Sequence, residues 1–212
     1  MKQQVNLEIM EFVEREILPR YNRFDKGHNL QHAQRVIHNT LDLARIAGVD
    51  IDMAYVTAAY HDLGMSGPRA IHHITGGKIL AADARLKRWF SNEQIRIMKE
   101  AVEDHRASAS HTPRSIFGKI VAEADRDLDP EITFLRAIQY GLEKHHLMDK
   151  ETQWLRFFSH MQAKYSRTGY IKLWIPNSPN QQKLKEIQAI IEQPTVLRQW
   201  FERLYAEEVK NL

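Results

Sequence analysis

The sequence predicts an all-α fold. Apolar residues recur at three- and four-residue spacing along most of the chain, as they do on the buried face of an amphipathic helix. Residue types that begin and end helices separate these segments. Only residues 170–176, YIKLWIP, alternate as a strand does, and an isolated strand lacks a partner with which to form a sheet.

Three helices are predicted before residue 65. The first carries an apolar stripe and ends before Pro19, because proline cannot continue a helix. The second begins at His32 and closes at Gly48, a residue type that commonly ends helices. Asp50 is a natural N-cap for the third helix, which we expect Gly64 to end.

Three more helices are predicted between residues 70 and 125. The first runs over about 70–90. Ser91 and Gln94 have the spacing of a capping box and start the second. Thr112 as N-cap and Pro113 at the first helical position start the third. Beyond these, apolar spacing predicts helices over 132–142, 150–165, 180–192 and 195–209.

The chain length is consistent with one domain over residues 1–212. A chain of 212 residues can bury one sizeable core. No internal repeat or low-complexity linker interrupts it. We expect a core over about 25–130 and a C-terminal helical extension over about 131–212.

Composition limits the compartment and the partners. Thirty Lys and Arg against 27 Asp and Glu leave a charge of +3 without a dense basic run, so nucleic acid is not an expected partner. The absence of cysteine excludes disulfides and thiolate metal ligands. The N-terminus interleaves charges with apolar residues, and no later stretch has 18 uncharged apolar residues. We therefore expect a cytoplasmic protein that does not enter a membrane.

Four ionisable residues are predicted at inward-facing helix positions: His32, His61, Asp62 and Asp125. Burying an unpaired charge costs several kcal/mol by order of magnitude. Two imidazoles and two carboxylates that share one divalent ion avoid this cost. Taken singly, an inward histidine is more often a hydrogen-bonded core residue, and Asp125 can pair with Arg126. The metal hypothesis therefore depends on the set.

That ordered set resembles the HD superfamily of metal-dependent phosphohydrolases. The motifs are HAQRV, which begins with His32, then HDLG at 61–64, then IVAEADRDLD, which contains Asp125. The likeness extends from His32 to Asp129. It implies an HD-domain fold in which the four residues named above bind a divalent metal ion, which can be Mn, Mg, Co, Ni, Fe or Zn. It also covers HHITGG at 72–77 and EDH at 103–105, where relatives place histidines for a second metal or the substrate phosphate.

The resemblance also suggests catalytic and substrate-binding residues. Either His72 or His73 matches the first additional histidine, and we prefer His73. His105 or His73 is expected to position the attacking water or to protonate the leaving group. Arg35 and Arg126 are expected to bind substrate phosphate, although a salt bridge that orients a ligand carboxylate explains each arginine equally well.

The general base is left open. Some HD nucleotidases carry an acidic residue shortly after the His-Asp pair, but residues 63–82 contain no Asp or Glu. Glu103 or Asp104 can serve instead, or the metal hydroxide can act unaided. The HNLQH stretch is not a zinc-protease helix, because Asn29 stands where that chemistry needs a glutamate.

The expected function is that of a hydrolase. The predicted substrate is a nucleotide or another small phosphoester or phosphoanhydride, cleaved by metal-activated water. The alternative is a non-catalytic sensor of the HD fold that binds metal and nucleotide. An RNA-binding or scaffold role ranks below both, because aromatic residues at helical spacing usually belong to a core. Homodimerisation through the C-terminal helices stays open.

Overall fold

The computed structural model describes residues 4–25, 27–106, 111–126 and 128–210. These residues form ten α-helices: α1 (Leu7–Glu16), α2 (Leu30–Ala47), α3 (Ile51–Tyr60), α4 (His72–Ala82), α5 (Asn92–Glu103), α6 (Ile116–Ala124), α7 (Pro130–Lys144), α8 (Lys150–Tyr165), α9 (Pro179–Ile191) and α10 (Pro194–Lys210). Short 3₁₀ helices occur at Leu18–Arg23, Leu63–Ser66, Arg69–Ile71 and Ala84–Arg88. No strand occurs within the described ranges. The prediction of an all-α fold is confirmed.

Two predicted helices end earlier than expected. α3 stops at Tyr60 and a 3₁₀ helix follows, so the predicted end at Gly64 was wrong. Gly64 packs against the first turn of α4, where a Cβ would lie 1.8 Å from the carbonyl oxygen of His72. The helix predicted over 70–90 ends at Ala82, because the Asp83 carboxylate accepts a backbone hydrogen bond two residues later and starts a 3₁₀ helix.

Side-chain caps explain where the later helices begin. The capping box of Ser91 and Gln94 is present at the start of α5, as predicted. At α6 the prediction was wrong, because Ser115 rather than Thr112 is the N-cap. The Ser115 hydroxyl accepts the backbone N–H three residues later at 3.1 Å, so Pro113 precedes the helix.

The described residues fall into two compact units. The first comprises the residues up to Arg126 together with Leu173–Asn177. α3 is its central helix, and every residue of α3 except Asp52 is buried. A helix that is apolar on all sides needs neighbours on all sides, and α1, α2, α4, α5 and α6 each pack against α3. The carboxyl end of α3 therefore lies within the unit rather than at its surface.

The stretch that alternates like a strand joins this first unit without forming a sheet. Glu123 of α6 is fully buried, and one of its carboxylate oxygens accepts the backbone N–H groups of Trp174 and Ile175 at 2.6 and 2.9 Å. Ile175 is part of the unit's hydrophobic core. A buried carboxylate thus accepts backbone hydrogen bonds that a neighbouring strand would accept in a sheet.

The second unit contains α7, α8, α9 and α10. α7 packs against each of the other three helices. Its core is aromatic, with Phe134, Phe157 and Phe201 fully buried. The description of the chain as one domain with a C-terminal extension stays a prediction. Within the part of the chain that the structure describes, no helix combines the length and apolarity needed to span a bilayer.

Candidate metal centre

The four residues predicted to bind metal lie at the ends of three helices. His32 is in the first turn of α2, where its backbone N–H donates to the side chain of the N-cap Asn29 at 3.0 Å. His61 directly follows α3, and Asp62 is the next residue. Asp125 caps the carboxyl end of α6. Helix ends allow adjacent side chains to converge, because the backbone there leaves its helical path.

The structure brings these four side chains together. The Nε2 atom of His32 lies 3.2 Å from Nε2 of His61, 3.3 Å from Oδ2 of Asp62 and 3.2 Å from Oδ1 of Asp125. Nε2 of His61 is 3.2 Å from Oδ2 of Asp62 and 3.9 Å from Oδ1 of Asp125. All but Asp125 are almost completely buried. These nitrogen and oxygen atoms form a compact donor set.

Two further histidines lie on the other side of the Asp62 carboxylate. His72 is the first residue of α4, and His105 follows α5 by two residues. Their Nε2 atoms lie 3.1 Å apart and are 3.4 and 3.5 Å from Oδ1 of Asp62. Asp62 therefore belongs to two trios, one with His32 and His61 and one with His72 and His105, and each trio could hold a metal ion.

Backbone hydrogen bonds determine which ring nitrogen of these histidines carries the proton. Nδ1 of His61, His72 and His105 each donates to the carbonyl three residues earlier, at 2.7, 2.7 and 2.6 Å. In a neutral imidazole Nε2 is then an unprotonated acceptor. Acceptor nitrogens that face one another and a carboxylate repel unless a cation lies between them. The donor set and these outer hydrogen bonds fit a divalent metal ion.

The part of the chain that carries this site matches a known protein family. Residues 29–128 match the family model described as HD domain. The chain contains an HD domain. This match supports a place in a superfamily of metal-dependent phosphohydrolases. No curated protein matches the chain. The crystal structure of a predicted HD superfamily hydrolase from an uncultured Thermotogales bacterium is similar, with 23% identity over 72% of this chain and 83% of that chain and a TM-score of 0.49.

In the HD domain's site, the pKa of His32 and the pKa of Asp62 depend on the charges of their neighbours. Burial acts to lower the pKa of His32, but hydrogen bonds to Asp125 and Asp62 outweigh it and raise the pKa to about 9. Burial acts to raise the pKa of Asp62, yet the surrounding histidines, His61 foremost, hold it well below its usual range. Without a metal ion, a protonated His32 therefore balances part of the carboxylate charge at neutral pH.

Tyr21 supports the site and was not identified from the sequence. Its hydroxyl donates to the carbonyl of Ala59 at 3.0 Å and accepts the backbone N–H of Asp62 at 3.3 Å. Its ring stacks on that of His61, with centroids 6.3 Å apart. Burial, aided by the Asp62 charge, raises the pKa of Tyr21 well above its usual value, so the hydroxyl stays protonated. In sequence such a tyrosine looks like any other core aromatic residue.

The structure leaves His73 outside both trios and places His72 in one. His73 is only partly buried, and burial together with the charge of Arg106 lowers its pKa to about 4. The phase of α4 explains the difference, because His72, Gly76 and Leu80 recur every four residues on its buried face. The apolar Leu80 was the sequence signal that favoured His72 over the preferred His73.

The predicted substrate-binding arginines lie next to ligand positions. Arg35 is one turn beyond His32 on α2, and its Nη2 atom lies 3.3 Å from Nδ1 of that histidine. Arg126 follows Asp125 and is half-buried. Their suggested roles toward phosphate stay predictions.

Glu103 and Asp104, the suggested bases, have other partners. Glu103 accepts hydrogen bonds from Lys99 at 2.5 Å and from Arg114 at 2.9 Å. Asp104 accepts from Arg114 and from His111. Both carboxylates are already ion-paired, which makes either a poor proton acceptor at neutral pH. Ion pairing holds the pKa of each below its usual value, despite burial, which acts in the opposite direction.

Proposed function

We propose that the protein is a hydrolase that uses a divalent metal ion, held by His32, His61, Asp62 and Asp125, to cleave a phosphoester or phosphoanhydride bond. One observation carries the proposal: unprotonated histidine nitrogens converge from separate helices on a buried carboxylate. Nothing about core packing requires that convergence, which costs free energy without a cation.

A divalent ion at this position would acidify a water ligand and neutralise charge on the phosphoryl group. The protein's own residues hold the donor atoms in place. Asp62 turns its two oxygens toward different histidine pairs, so one carboxylate can serve both trios. The Nδ1 hydrogen bonds of His72 and His105 fix their rings and leave Nε2 free to accept.

The protonation of His105 bears on its proposed catalytic role. Because its Nδ1 donates to Val102 at 2.6 Å, a neutral His105 presents an acceptor at Nε2. Such a group can bind a metal ion or accept a proton at Nε2, and once protonated there it can donate that proton to a leaving group. The Nδ1 hydrogen bond therefore orients the ring for either of the proposed roles of His105.

A phosphorylated small molecule, with nucleotides as the first class, is the proposed substrate. Arg35 beside His32 and Arg126 beside Asp125 would supply positive charge near a phosphoryl group bound at the trios. Guanidinium groups suit phosphate oxygens because they donate two parallel hydrogen bonds. The preference for nucleotides follows from the resemblance to small HD proteins.

The test combines elemental analysis with an activity panel. Protein purified without chelator is analysed for metal, and nucleotides are assayed for phosphate and pyrophosphate release with Mn²⁺, Mg²⁺, Co²⁺ or Ni²⁺. We expect Asp62→Ala to lose both metal and turnover. Asp83→Ala is the matched control, because Asp83 is also a largely buried carboxylate but pairs with Tyr60 and Arg85.

The outcomes separate the proposed function from its alternative. Metal with turnover, both lost in Asp62→Ala and retained in Asp83→Ala, supports a phosphohydrolase. Metal with saturable nucleotide binding and no product indicates a sensor. Turnover that persists in Asp62→Ala would refute the proposal.

A further inference from the structure

Asp104, the residue directly before His105, is the centre of an ion-pair network outside both trios. Its side chain has no exposed surface. Oδ2 accepts the backbone N–H of Arg114 at 2.7 Å, and Oδ1 accepts Nη2 of the same arginine at 2.8 Å. Oδ1 also accepts from Nε2 of His111 at 3.0 Å. One carboxylate therefore binds both the backbone and the guanidinium of Arg114.

This network stands where helix electrostatics disfavour it. Asp104 caps the carboxyl end of α5, and Glu103 is the last residue of that helix. The carboxyl end of a helix carries partial negative charge, so two acidic residues there are destabilising without a compensating cation. Burial of Asp104 adds a desolvation cost of several kcal/mol by order of magnitude. Two acidic residues at the end of α5 are therefore not explained by the stability of that helix.

The network fixes the turn that carries His105. Arg114 reaches past Asp104 and donates to the carbonyl of Glu100 in the last turn of α5, at 3.2 Å. In the same turn the Nδ1 atom of His105 donates to Val102. The Glu100 carbonyl also accepts the backbone N–H of Asp104 at 3.0 Å, and the last turn of a helix commonly frays. Arg114 thus stabilises the turn from which the His105 ring is oriented.

Gly118 on α6 allows Asp104 to lie close to that helix. A Cβ at this position would be 3.3 Å from Cβ of Asp104 and 3.1 Å from Cβ of Pro113. The ion pair therefore sits against α6, the helix whose carboxyl end carries Asp125. It lies between the two helices that bring His105 and Asp125 to the site.

We propose that Asp104 and Arg114 are positioning residues that hold His105 in the trio with Asp62 and His72. The inference rests on the proposed function, because it assumes that this trio binds a metal ion. Without the ion pair, the His105 ring moves relative to Asp62, and an ion bound there loses a well-placed ligand. The trio of His32, His61 and Asp62 keeps its own supports.

The experiment measures Mn²⁺ binding to the full-length protein after removal of metal, with free Mn²⁺ quantified by electron paramagnetic resonance. We expect the wild type to bind two ions. In Asp104→Asn and Arg114→Gln, the Kd of the weaker ion should rise about 10- to 100-fold, the range typical when a residue that orients a metal ligand is lost. The Kd of the tighter ion should change by less than about threefold.

Asp83→Asn is the control for a purely structural effect. The Asp83 carboxylate also accepts hydrogen bonds from a backbone N–H and from an arginine side chain, but it lies at the opposite end of α4 from His72. It should lower the melting temperature and leave both Kd values unchanged. Arg114→Gln provides a second test if Asp104→Asn does not fold, because Arg114 is partly exposed.

Three results would overturn the inference. The first is a wild type that binds a single Mn²⁺ ion. The second is that both Kd values stay unchanged in Asp104→Asn and in Arg114→Gln. The third is that these variants lose affinity for both ions to the same extent. With any of them, the proposed hydrolase still stands if phosphate release depends on Asp62. Loss of the proposed function is recognised separately, as absence of metal and turnover in the wild type.

Discussion

The Nε2 atoms of His72 and His105 face one another at 3.1 Å while both rings donate their Nδ1 protons to backbone carbonyls. In the neutral state neither Nε2 atom carries a hydrogen, so the short distance is not a hydrogen bond. A cation between the rings would relieve this repulsion, with both Nε2 atoms as its ligands. The pair therefore has the geometry of two ligands that share one ion.

Replacing His72 should have a much larger effect than replacing its neighbour His73. His72→Ala removes a donor atom of the trio with Asp62 and His105, and we expect turnover to fall at least about 100-fold. His73→Ala removes a partly buried side chain outside both trios and should change turnover by no more than about threefold. Steady-state rates at saturating metal, with both proteins checked by circular dichroism, compare them. Equal losses would contradict the geometry.

Metal binding should release protons at neutral pH. Burial opposes protonation of His32, but Asp125 and Asp62 raise its pKa to about 9, so metal-free His32 is protonated at pH 7. A metal ion needs the unprotonated Nε2 and must displace that proton. Affinity should therefore rise with pH, by up to about tenfold per pH unit for each proton released, and level off above the pKa.

Calorimetry in buffers of different ionisation enthalpy counts these protons. We expect release of about one proton or more per ion at pH 7, and less above pH 9. If the binding heat at pH 7 is the same in every buffer, metal binding releases no proton, and His32 is then not protonated in the metal-free protein.

Removing the Tyr21 hydroxyl should weaken both stability and metal binding. Tyr21→Phe takes one partner from the Ala59 carbonyl and one from the Asp62 backbone N–H. A buried polar group left unpaired costs about 1–3 kcal/mol, which lowers the melting temperature by several degrees. Metal affinity should fall about 10-fold or more, because the backbone of Asp62 loses its support.

Tyr55→Phe is the matched control for this change. Tyr55 is also buried, and among the described residues its hydroxyl has no hydrogen-bond partner. Thermal melts and metal titrations of the two variants should differ clearly. If Tyr55→Phe lowers the melting temperature and the metal affinity as much as Tyr21→Phe does, the two hydrogen bonds of Tyr21 are not the cause of the loss.

Gly64 should tolerate no side chain, whereas Gly67 nearby should accept one. A Cβ at position 64 would lie 1.8 Å from the backbone oxygen of His72 and 2.6 Å from the backbone nitrogen of Gly76. Backbone atoms cannot rotate aside, so Gly64→Ala should cost more than about 3 kcal/mol. At Gly67 the nearest atom is 3.7 Å away, and Gly67→Ala should change stability by less than about 1 kcal/mol. Denaturant unfolding of both variants tests this, and a wild-type midpoint for Gly64→Ala would disprove the close packing.

Features of the fold whose physical cause is local could be predicted from the sequence. The capping box of Ser91 and Gln94 and the N-cap at Asp50 involve residues only three positions apart, so their spacing predicts the helix starts directly. Apolar spacing likewise predicted the all-α fold. The HD motifs gave the four residues that the structure gathers at one point, because their order along the chain is itself a pattern.

The remaining features depend on contacts between distant residues. His72 rather than His73 meets His105, which lies 33 positions further along the chain. Tyr21 acts through a residue 41 positions away, and nothing in its local sequence indicates that partner. Asp104 pairs with Arg114 ten residues later, and nothing in the spacing of the two residues indicates the contact. Such contacts are properties of the folded chain.

The link between Glu123 and residues 174–175 has a consequence for synthesis on the ribosome. The carboxylate emerges 51 residues before the first of the two N–H groups that it binds. At about 5–20 residues per second, that interval is roughly 3–10 s. During this time α1 to α6 of the first unit have all been translated, but Glu123 cannot yet be buried with its final partners. The first unit thus cannot be completed until α7 and α8 of the second unit have been translated, and a chain shortened to residue 126 would leave that carboxylate without its two backbone partners.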